Sequence, residues 1–305
     1  MLLINNIYVS GLGAIGSAYA GKLFDMDPGC VKVIADEERI QRYREKGVTV
    51  NGRLYPFKYV RPEDGNGEAD LVIVAVKQHH LEQSIKDIRS YIGNSTIILS
   101  LLNGITSEEI IGKQFGMDKM LYAFCVGTDS VREGTGIHYT NIGKIVFGEK
   151  TNAELSDKAA AVKELFEKAG IPYAVPGNML RELWWKFMMN VGINQVSAIL
   201  KAPYGVFQKV QEARDLIFMA SREVVRISEK AGISLDENDI KKYMTIIDTL
   251  APEGKTSMLQ DVEARRKTEV DIFAGAVMEL GASHGVETPV NNILYKMIKT
   301  MEEMA

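Results

Sequence analysis

The segment IYVSGLGAIG, residues 7–16, decides the fold because it joins a short β-rich run to a glycine-rich turn. Residues 7–10 predict a buried strand, and residues 15–25 have the apolar spacing of a helix. A GxGxxG pattern indicates dinucleotide binding when it lies between a strand and a helix, as it does here. The alternative interpretation is a glycine-rich turn without a ligand.

Each glycine of this turn has a separate physical task. Gly11 permits the tight turn, Gly13 lets the backbone approach a pyrophosphate, and Gly16 allows the helix to pack closely on the strand. The helix N-terminus then faces the phosphates. The predicted cofactor contacts in this loop are Gly11, Gly13, Ala14, Ile15 and Gly16.

The first half of the chain repeats this strand-then-helix rhythm. Further β-rich runs occupy residues 31–35, 71–76 and 96–100, and helical patterns occupy residues 37–46, 79–91 and 106–115. Runs such as LVIVAV show no polar alternation, which is typical of strands covered by helices on both faces. We therefore expect an α/β Rossmann domain with a doubly wound, mostly parallel sheet.

The pattern then changes in two steps. GIHYT and KIVFGE predict a hairpin added to the sheet, followed by a helix over 153–170 and a short strand at PYAV. Beyond the turn-forming cluster Pro176-Gly177-Asn178, the spacing predicts only helices, at about 179–200, 208–231, 236–250, 256–284 and 290–304. The predicted domains are a dinucleotide-binding Rossmann domain, residues 1–177, and an all-α substrate-binding and catalytic domain, residues 178–305.

Composition limits the class of partner. The chain has 305 residues, a formal net charge of −4 and 46% hydrophobic residues, so no broad positive field favours nucleic acid or an anionic membrane. No apolar run approaches the roughly 18 residues of a membrane span, and the N-terminus has no basic region typical of an export signal. Cys30 and Cys125 have no metal-ligand spacing and suit a reducing compartment, so we expect a cytoplasmic protein with a small-molecule partner and no metal. The hydrophobic C-terminal helices are compatible with a homodimer and equally with a monomer.

Asp36 lies at the end of the second predicted strand, about 20 residues past the last glycine of the motif. An acidic side chain there can bind the adenosine ribose hydroxyls and disfavours a 2′-phosphate. NADPH and NADH are both candidate cofactors, and Asp36 favours NADH. Alternatively Asp36 is an N-cap for the following helix, on which Arg39 and Arg42 are available to bind a phosphate.

A polar stripe runs along the apolar segment LWWKFMMNVGIN, residues 183–194. Lys186, Asn190 and Asn194 follow one another at four-residue spacing, which places them on one face over roughly 12 Å of helix. Because a buried lysine and two amides need partners, the stripe indicates either a functional site or a set of structural hydrogen bonds. The residues alone leave both interpretations open.

Several motifs together resemble the ketopantoate reductase family (2-dehydropantoate 2-reductases). They span nearly the whole chain and are GLGAIG, VAVK ending at Lys77, LLNG containing Asn103, LWWKFMMNVGIN, and SMLQDVEARRKTEVD from Ser257 to Asp271. The resemblance implies that Lys186 donates a proton to the substrate carbonyl and that Asn190, Asn194 and Ser257 hold the substrate. It also implies that Lys77 and Asn103 line an interdomain cleft beside the cofactor and that Glu269 lies close to Lys186.

Two of these assignments have structural alternatives. Ser257 precedes a long helical pattern, where it can receive a carboxylate or simply serve as the N-cap. Glu269, roughly 18 Å further along an ideal helix, cannot share that carboxylate pocket. It can instead reach Lys186 or another substrate atom, or form a surface pair with Arg266 or Lys267.

The predicted activity is NAD(P)H-dependent reduction of 2-dehydropantoate to pantoate, a step toward pantothenate and coenzyme A. Gly254 departs from the family, which commonly has an asparagine three residues before the serine, and this leaves the substrate in question. The alternatives are a reductase of another small 2-keto acid or imine, or a regulatory protein that binds nicotinamide nucleotides without chemistry. The regulatory alternative is disfavoured because the chain retains every residue of the implied active site: Lys186, Asn190, Asn194, Ser257 and Glu269.

Overall fold

The computed structural model describes residues 2–65 and 67–304, and the chain divides into two compact units, Met1–Met179 and Leu180–Ala305. The strands are β1 (Ile7–Ser10), β2 (Val31–Ile34), β3 (Thr49–Val50), β4 (Arg53–Leu54), β5 (Lys58–Val60), β6 (Leu71–Val74), β7 (Ile97–Ser100), β8 (Met120–Val126), β9 (Val131–Glu133), β10 (Gly136–His138), β11 (Lys144–Gly148) and β12 (Tyr173–Ala174). The α-helices are α1 (Ala14–Met26), α2 (Glu37–Lys46), α3 (Leu81–Ile88), α4 (Ser107–Phe115), α5 (Asp157–Lys168), α6 (Met179–Leu200), α7 (Tyr204–Lys209), α8 (Gln211–Lys230), α9 (Glu237–Thr249), α10 (Ser257–Glu263), α11 (Ala274–His284) and α12 (Pro289–Glu303).

The first unit is built on an eight-stranded sheet in the order β12-β11-β8-β7-β6-β1-β2-β5. All neighbouring pairs are parallel except β8 with β11. Along β1, Ile7 and Val9 pack in one core cluster and Tyr8 packs in another, so both faces of the sheet are covered. This arrangement confirms the predicted Rossmann fold, whose strand order reverses beside β1.

The predicted hairpin from GIHYT and KIVFGE is wrong. β10 pairs with β9 and β3 in a separate four-stranded sheet, whereas β11 joins the large sheet antiparallel to β8. The chain turns between them because the Asp129 carboxylate accepts hydrogen bonds from the backbone N–H groups of Thr140 and Asn141, at 2.9 and 2.8 Å. Gly143, with a φ of +72°, then permits the change of direction.

The second unit contains helices α6 to α12, and its described residues, 180–304, form no strand. This confirms the predicted all-helical second half. The continuous helix predicted over 256–284 is wrong, because α10 ends at Glu263 and Arg265 has a left-handed φ of +51°. A 3₁₀ turn at Val270–Ile272 precedes α11. Across the residues the structure describes, no helix is long and apolar enough to cross a membrane.

N-cap side chains fix the start of several helices. Asp36, Ser156 and Thr256 each accept a hydrogen bond from the backbone N–H three residues later. Asp236 forms a complete capping box with Asp239, whose carboxylate also accepts from the Arg181 guanidinium at 2.7 and 2.8 Å. These contacts satisfy N–H groups that a helix cannot bond internally. The Arg181 contact also ties α9 to the first turn of the helix that contains Lys186.

Candidate functional site

Four loops converge at one edge of the large sheet. The adjacent strands β7, β6, β1 and β2 are parallel and in register, so their carboxyl ends meet at the same edge. Asn103 follows β7, Lys77 follows β6, the glycine-rich turn follows β1 and Asp36 follows β2. The structure therefore brings the predicted cofactor residues to the topological switch point of the sheet, where ligands bind in open α/β folds.

Two glycines of the motif are required by the protein itself. Gly11 has a φ of +101°, and an added Cβ would lie 2.7 Å from the Ala75 carbonyl oxygen. A Cβ at Gly16 would lie 1.9 Å from the Gly11 carbonyl oxygen, so any side chain there would push α1 off the strand. These contacts match the roles predicted for the tight turn and for close helix packing.

Gly13 is different because no protein atom excludes a side chain there. Its φ is −77°, and an added Cβ would meet only the Ala75 carbonyl oxygen, at 3.8 Å. Gly13 is also the N-cap of α1, so no side chain caps this end, and the first turn has no acidic residue. An open backbone cradle at an uncapped helix N-terminus fits a pyrophosphate.

Asp36 caps α2 as the alternative interpretation stated. Its Oδ1 accepts a hydrogen bond from the Arg39 backbone N–H at 2.8 Å, and its Oδ2 lies 3.3 Å from Arg39 Nε. The carboxylate remains 55% exposed. Capping and ribose binding are therefore compatible, since an exposed carboxylate oxygen can accept more than one hydrogen bond.

His80 follows Lys77 at the same edge of the sheet. Burial lowers the pKa of the His80 imidazole, and the positive charge of Arg39 adds to this effect.

The second unit brings three of the predicted substrate residues together. The Ser257 hydroxyl donates to Asn194 Oδ1 at 3.2 Å, and the Met258 backbone N–H lies 3.4 Å from the same oxygen. Asn194 Nδ2 in turn donates to Asn190 Oδ1 at 3.2 Å. Lys186 precedes Asn190 by four residues on α6, which places it on the same face. Ser257, Asn194 and Asn190 therefore form a hydrogen-bonded polar cluster, and Lys186 lies one turn before Asn190 on α6.

Thr256, not Ser257, is the N-cap of α10. The Thr256 hydroxyl accepts from the Leu259 backbone N–H at 3.2 Å and donates to the Ser197 hydroxyl at 3.1 Å. The capping interpretation of Ser257 is therefore wrong, and its hydroxyl is directed instead to the amide of Asn194. Sequence reasoning missed Thr256, although a threonine directly before a helical pattern is a capping signal.

Glu269 does not lie on a long exposed helix. It precedes the 3₁₀ turn and is only 6% exposed, which contradicts a surface pair. Arg266 pairs with Asp261, at 3.0 Å. Beside Glu269, the Thr268 backbone N–H and hydroxyl both donate to Glu302 on α12, at 2.8 and 2.6 Å. This contact holds the segment that carries Glu269, and no local sequence signal indicated it.

The sequence also did not reveal a buried chain of hydrogen bonds that connects the end of β7 with the first turn of α4. Ser100 ends β7, and its hydroxyl lies 2.7 Å from that of Ser107, which donates to Glu108 Oε2 at 2.9 Å. Glu108 is 1% exposed, and burial raises its pKa to about 7. Its spacing from the buried Ile111 is the signal that it falls on the inner face of α4.

The glycine loop at the switch point of a doubly wound sheet defines a dinucleotide-binding protein of the Rossmann class. Family comparison places the chain more narrowly. The model "Ketopantoate reductase PanE/ApbA" matches residues 7–152, and "Ketopantoate reductase PanE/ApbA C terminal" matches residues 178–302. The chain belongs to the ketopantoate reductase family.

Individual relatives cover almost the whole chain at modest identity. A 2-dehydropantoate 2-reductase from Streptococcus pyogenes is 26% identical over 301 residues, which is 97% of each chain. The structure of D-mandelate dehydrogenase with NADH and anilino(oxo)acetate has 26% identity and a TM-score of 0.87, covering 98% of this chain and 99% of that one. A dimeric ketopantoate reductase from Staphylococcus aureus, 19% identical, has a TM-score of 0.82 over 98% and 99% of the two chains, and supports the fold.

Proposed function

We propose that this protein is an NAD(P)H-dependent reductase of a small 2-keto acid, with reduction of 2-dehydropantoate to pantoate as the leading reaction. The observation that carries the proposal is a hydrogen-bonded cluster. Ser257, at the start of α10, bonds to Asn194, which bonds to Asn190 on the face of α6 that also holds Lys186. The curated relative named 2-dehydropantoate 2-reductase supports the choice of substrate.

Each residue of the cluster has a chemical task. A reduced nicotinamide cofactor, with its pyrophosphate at the glycine loop, would supply the hydride for such a reaction. Reduction of a ketone leaves negative charge on its oxygen, and the Lys186 ammonium stabilises that charge and supplies the proton. Asn190, Asn194 and Ser257 orient the keto acid through amide and hydroxyl hydrogen bonds. Glu269, buried in the same unit, is assigned to the surroundings of Lys186.

The first unit carries the cofactor in this proposal. Gly13 and the first-turn N–H groups of α1 hold the pyrophosphate, and Lys77 and Asn103 line the nicotinamide end of the sheet edge. The exposed Asp36 carboxylate would accept hydrogen bonds from the adenosine ribose hydroxyls and repel a 2′-phosphate, so we expect NADH to be preferred over NADPH. A related D-mandelate dehydrogenase was solved with NADH, which supports binding of a nicotinamide cofactor.

A second candidate substrate class is supported by Gly254. This residue offers no side-chain amide to a substrate hydroxyl. D-mandelate dehydrogenase, as similar in sequence as the reductases, was solved with anilino(oxo)acetate, which has an aromatic group and no aliphatic hydroxyl. We therefore include 2-keto acids without a hydroxyl group in the proposed range. The buried thiols of Cys30 and Cys125 support a cytoplasmic location.

The proposal is tested by following NADH and NADPH oxidation with a panel of 2-keto acids. Wild type turns over at least one of them, and Lys186→Ala lowers turnover by roughly a hundred- to ten-thousand-fold with cofactor affinity retained, as expected for loss of a general acid. Lys230→Ala, at the exposed end of α8, is the matched control and keeps wild-type rates. Tight cofactor binding without turnover of any keto acid would favour the regulatory alternative instead.

A further inference from the structure

One buried hydrogen bond closes the loop that carries Asn103. This loop, residues 101–106, joins the end of β7 to the start of α4. The hydroxyl oxygens of Ser100, the last residue of β7, and Ser107, the first residue of α4, lie 2.7 Å apart. Both serines are buried, whereas Asn103 between them is only half-buried. The two ends of the loop are therefore fixed to each other beneath a residue that a ligand can reach.

Glu108 sets the direction of this bond. The Ser107 hydroxyl has a single proton and donates it to Glu108 Oε2 at 2.9 Å. The Ser100 hydroxyl therefore donates to Ser107 Oγ, and its own oxygen accepts from the Leu102 backbone N–H at 3.4 Å. Glu108 Oε1 in turn lies 3.4 Å from the backbone nitrogen of Ala123 on β8. A buried carboxylate thus orders a chain of hydrogen bonds that ends at the backbone of the loop.

This chain fixes the start of α4 in place of an N-cap. Thr106 occupies the N-cap position, but within the described part of the chain its side chain makes no capping hydrogen bond. The contacts of Ser107 and Glu108 supply the fixation instead. A loop that samples several conformations binds a ligand more weakly, in proportion to the population that can bind. Holding the loop in one conformation therefore favours a ligand that contacts Asn103.

The strand order indicates which part of a dinucleotide this loop would face. Asp36 follows β2, on one side of β1 and its glycine loop, and an acidic residue there binds the adenosine ribose. β6 and β7 lie on the other side of β1. With the pyrophosphate at the glycine loop, the adenosine half would extend toward Asp36 and the nicotinamide half toward the loops after β6 and β7. Asn103 belongs to the nicotinamide side.

We propose that Glu108 is a positioning residue for the nicotinamide half of the cofactor, and that it acts through Ser107 and Ser100 on the loop that carries Asn103. This inference rests on the proposed binding of NAD(P)H by the first unit. Glu108 is 1% exposed, so it acts through the two serines and makes no contact with the cofactor. Its effect is to prepare the loop before the cofactor arrives, which lowers the cost of ordering the loop on binding.

Two nucleotides test the proposal because they share only the adenosine half. The reduced cofactor, NADH or NADPH, contains both halves, whereas ADP contains adenosine and the pyrophosphate without nicotinamide riboside. Their Kd values are measured by isothermal titration calorimetry at about pH 8, above the Glu108 pKa of about 7. Ser107→Ala should raise the Kd of the reduced cofactor by about two- to ten-fold, the range for one net hydrogen bond, and leave the Kd of ADP unchanged.

Two variants of Glu108 separate the hydrogen bond from mere space filling. Glu108→Gln keeps an acceptor oxygen for the Ser107 hydroxyl and should bind the reduced cofactor like wild type. Glu108→Ala removes the acceptor and should have the same effect as Ser107→Ala. The double variant Ser100→Ala with Ser107→Ala should be no weaker than Ser107→Ala alone, because both changes remove the same bond. Circular dichroism verifies the folding of each variant.

Ser84 on α3 offers a matched control. Its hydroxyl oxygen lies 2.7 Å from that of Ser10, the last residue of β1, and this pair is also buried. Ser10, Val74 and Ser100 are in register on neighbouring strands, so both serine pairs lie on the same face of the sheet. Ser84→Ala removes an equivalent hydroxyl away from the Asn103 loop. Any effect on the glycine loop after Ser10 changes both nucleotides alike, so the ratio of their Kd values should stay that of wild type.

The outcomes are distinguishable. An unchanged Kd ratio in folded Ser107→Ala would overturn the positioning role and leave the proposed function intact. A change of the ratio in Ser84→Ala as large as that in Ser107→Ala would also overturn it, because a general loosening of the sheet edge would then be the cause. Glu108→Gln as weak as Glu108→Ala would exclude the hydrogen-bond chain. Wild type that binds neither NADH nor NADPH would instead remove the proposed function, and this inference with it.

Discussion

Replacement of Glu108 by glutamine should change how the stability of the protein depends on pH. Glu108 is 1% exposed, and burial raises its pKa from 4.5 to about 7, although hydrogen bonds from Ser107 and from backbone N–H groups act in the opposite direction. In the unfolded chain the same carboxyl group ionises near its ordinary value. The folded protein therefore holds a proton that the unfolded chain has already released.

The sign and size of the effect follow from this difference. Between pH 4.5 and about 7 the unfolded state binds fewer protons at this site, so raising the pH favours unfolding. At about 1.4 kcal/mol per pH unit, the difference between 4.5 and about 7 corresponds to about 3 kcal/mol of unfolding free energy. This stabilisation by Glu108 is fully present below pH 4.5, and it is lost as the pH rises through about 7. Glutamine has a similar shape and does not titrate, so Glu108→Gln should not suffer this loss.

Urea denaturation followed by circular dichroism at several pH values between 5 and 8 measures the effect. The unfolding free energy of Glu108→Gln minus that of wild type should rise with pH by up to about 3 kcal/mol. Glu109→Gln, the exposed neighbour on the same turn of α4, is the matched control; because the Glu109 charge is the smallest of the causes that raise the Glu108 pKa, this variant should show only a small fraction of the rise. If the difference in unfolding free energy from wild type changes with pH in the same way for both variants, the conclusion that burial raises the Glu108 pKa is refuted.

The remaining predictions concern the glycine loop, the substrate cluster and cofactor choice. Gly16→Ala should lower Tm and abolish nucleotide binding, because its Cβ would lie 1.9 Å from the Gly11 carbonyl oxygen. Gly13→Ala should keep the wild-type Tm and raise only the cofactor Kd. If both variants lost the same amount of Tm, Gly13 would not be an open site for the pyrophosphate. Ser257→Ala should raise KM for the keto acid at unchanged Tm. Thr256→Ala should lower the unfolding free energy by about 1 kcal/mol, because α10 loses its N-cap. If Ser257→Ala lowered the stability and Thr256→Ala raised KM instead, the roles assigned to the two residues would be wrong. Asp36→Arg should move relative kcat/KM from NADH toward NADPH at fixed ionic strength, and an unaltered ratio would argue that Asp36 only caps α2.

Sequence patterns predicted those parts of the fold and of the candidate site whose determining residues are close together in the chain. The strands beside the glycine loop and the start of α2 at Asp36 follow from apolar runs, glycines and an N-cap, all within a few residues. The four-residue spacing of Lys186, Asn190 and Asn194 likewise placed these side chains on one face of α6. Such features are encoded within one or two helical turns or one strand.

Long-range contacts account for what the sequence did not show. β8 follows α4 after a short 3₁₀ turn and went unrecognised, and β10 pairs with β3, nearly ninety residues earlier, instead of with β11. The break after α10 depends on contacts of the Arg266 and Thr268 side chains, the latter with Glu302 at the far end of the chain. No periodicity within a short window predicts such pairings, because they depend on which surfaces meet in the folded protein.

Transfer of a labelled hydride tests the central claim most directly. Purified wild type is incubated with NADH or NADPH carrying deuterium on each face of C4 in turn, together with 2-dehydropantoate or 3,3-dimethyl-2-oxobutanoate, and the product is analysed by mass spectrometry. A 2-keto acid reductase gives the 2-hydroxy acid with one deuterium at C2 from one labelled face, and Lys186→Ala gives the same product at a rate lower by at least about a hundred-fold. Absence of a deuterated hydroxy acid from the folded, cofactor-bound wild-type protein would contradict the proposed function.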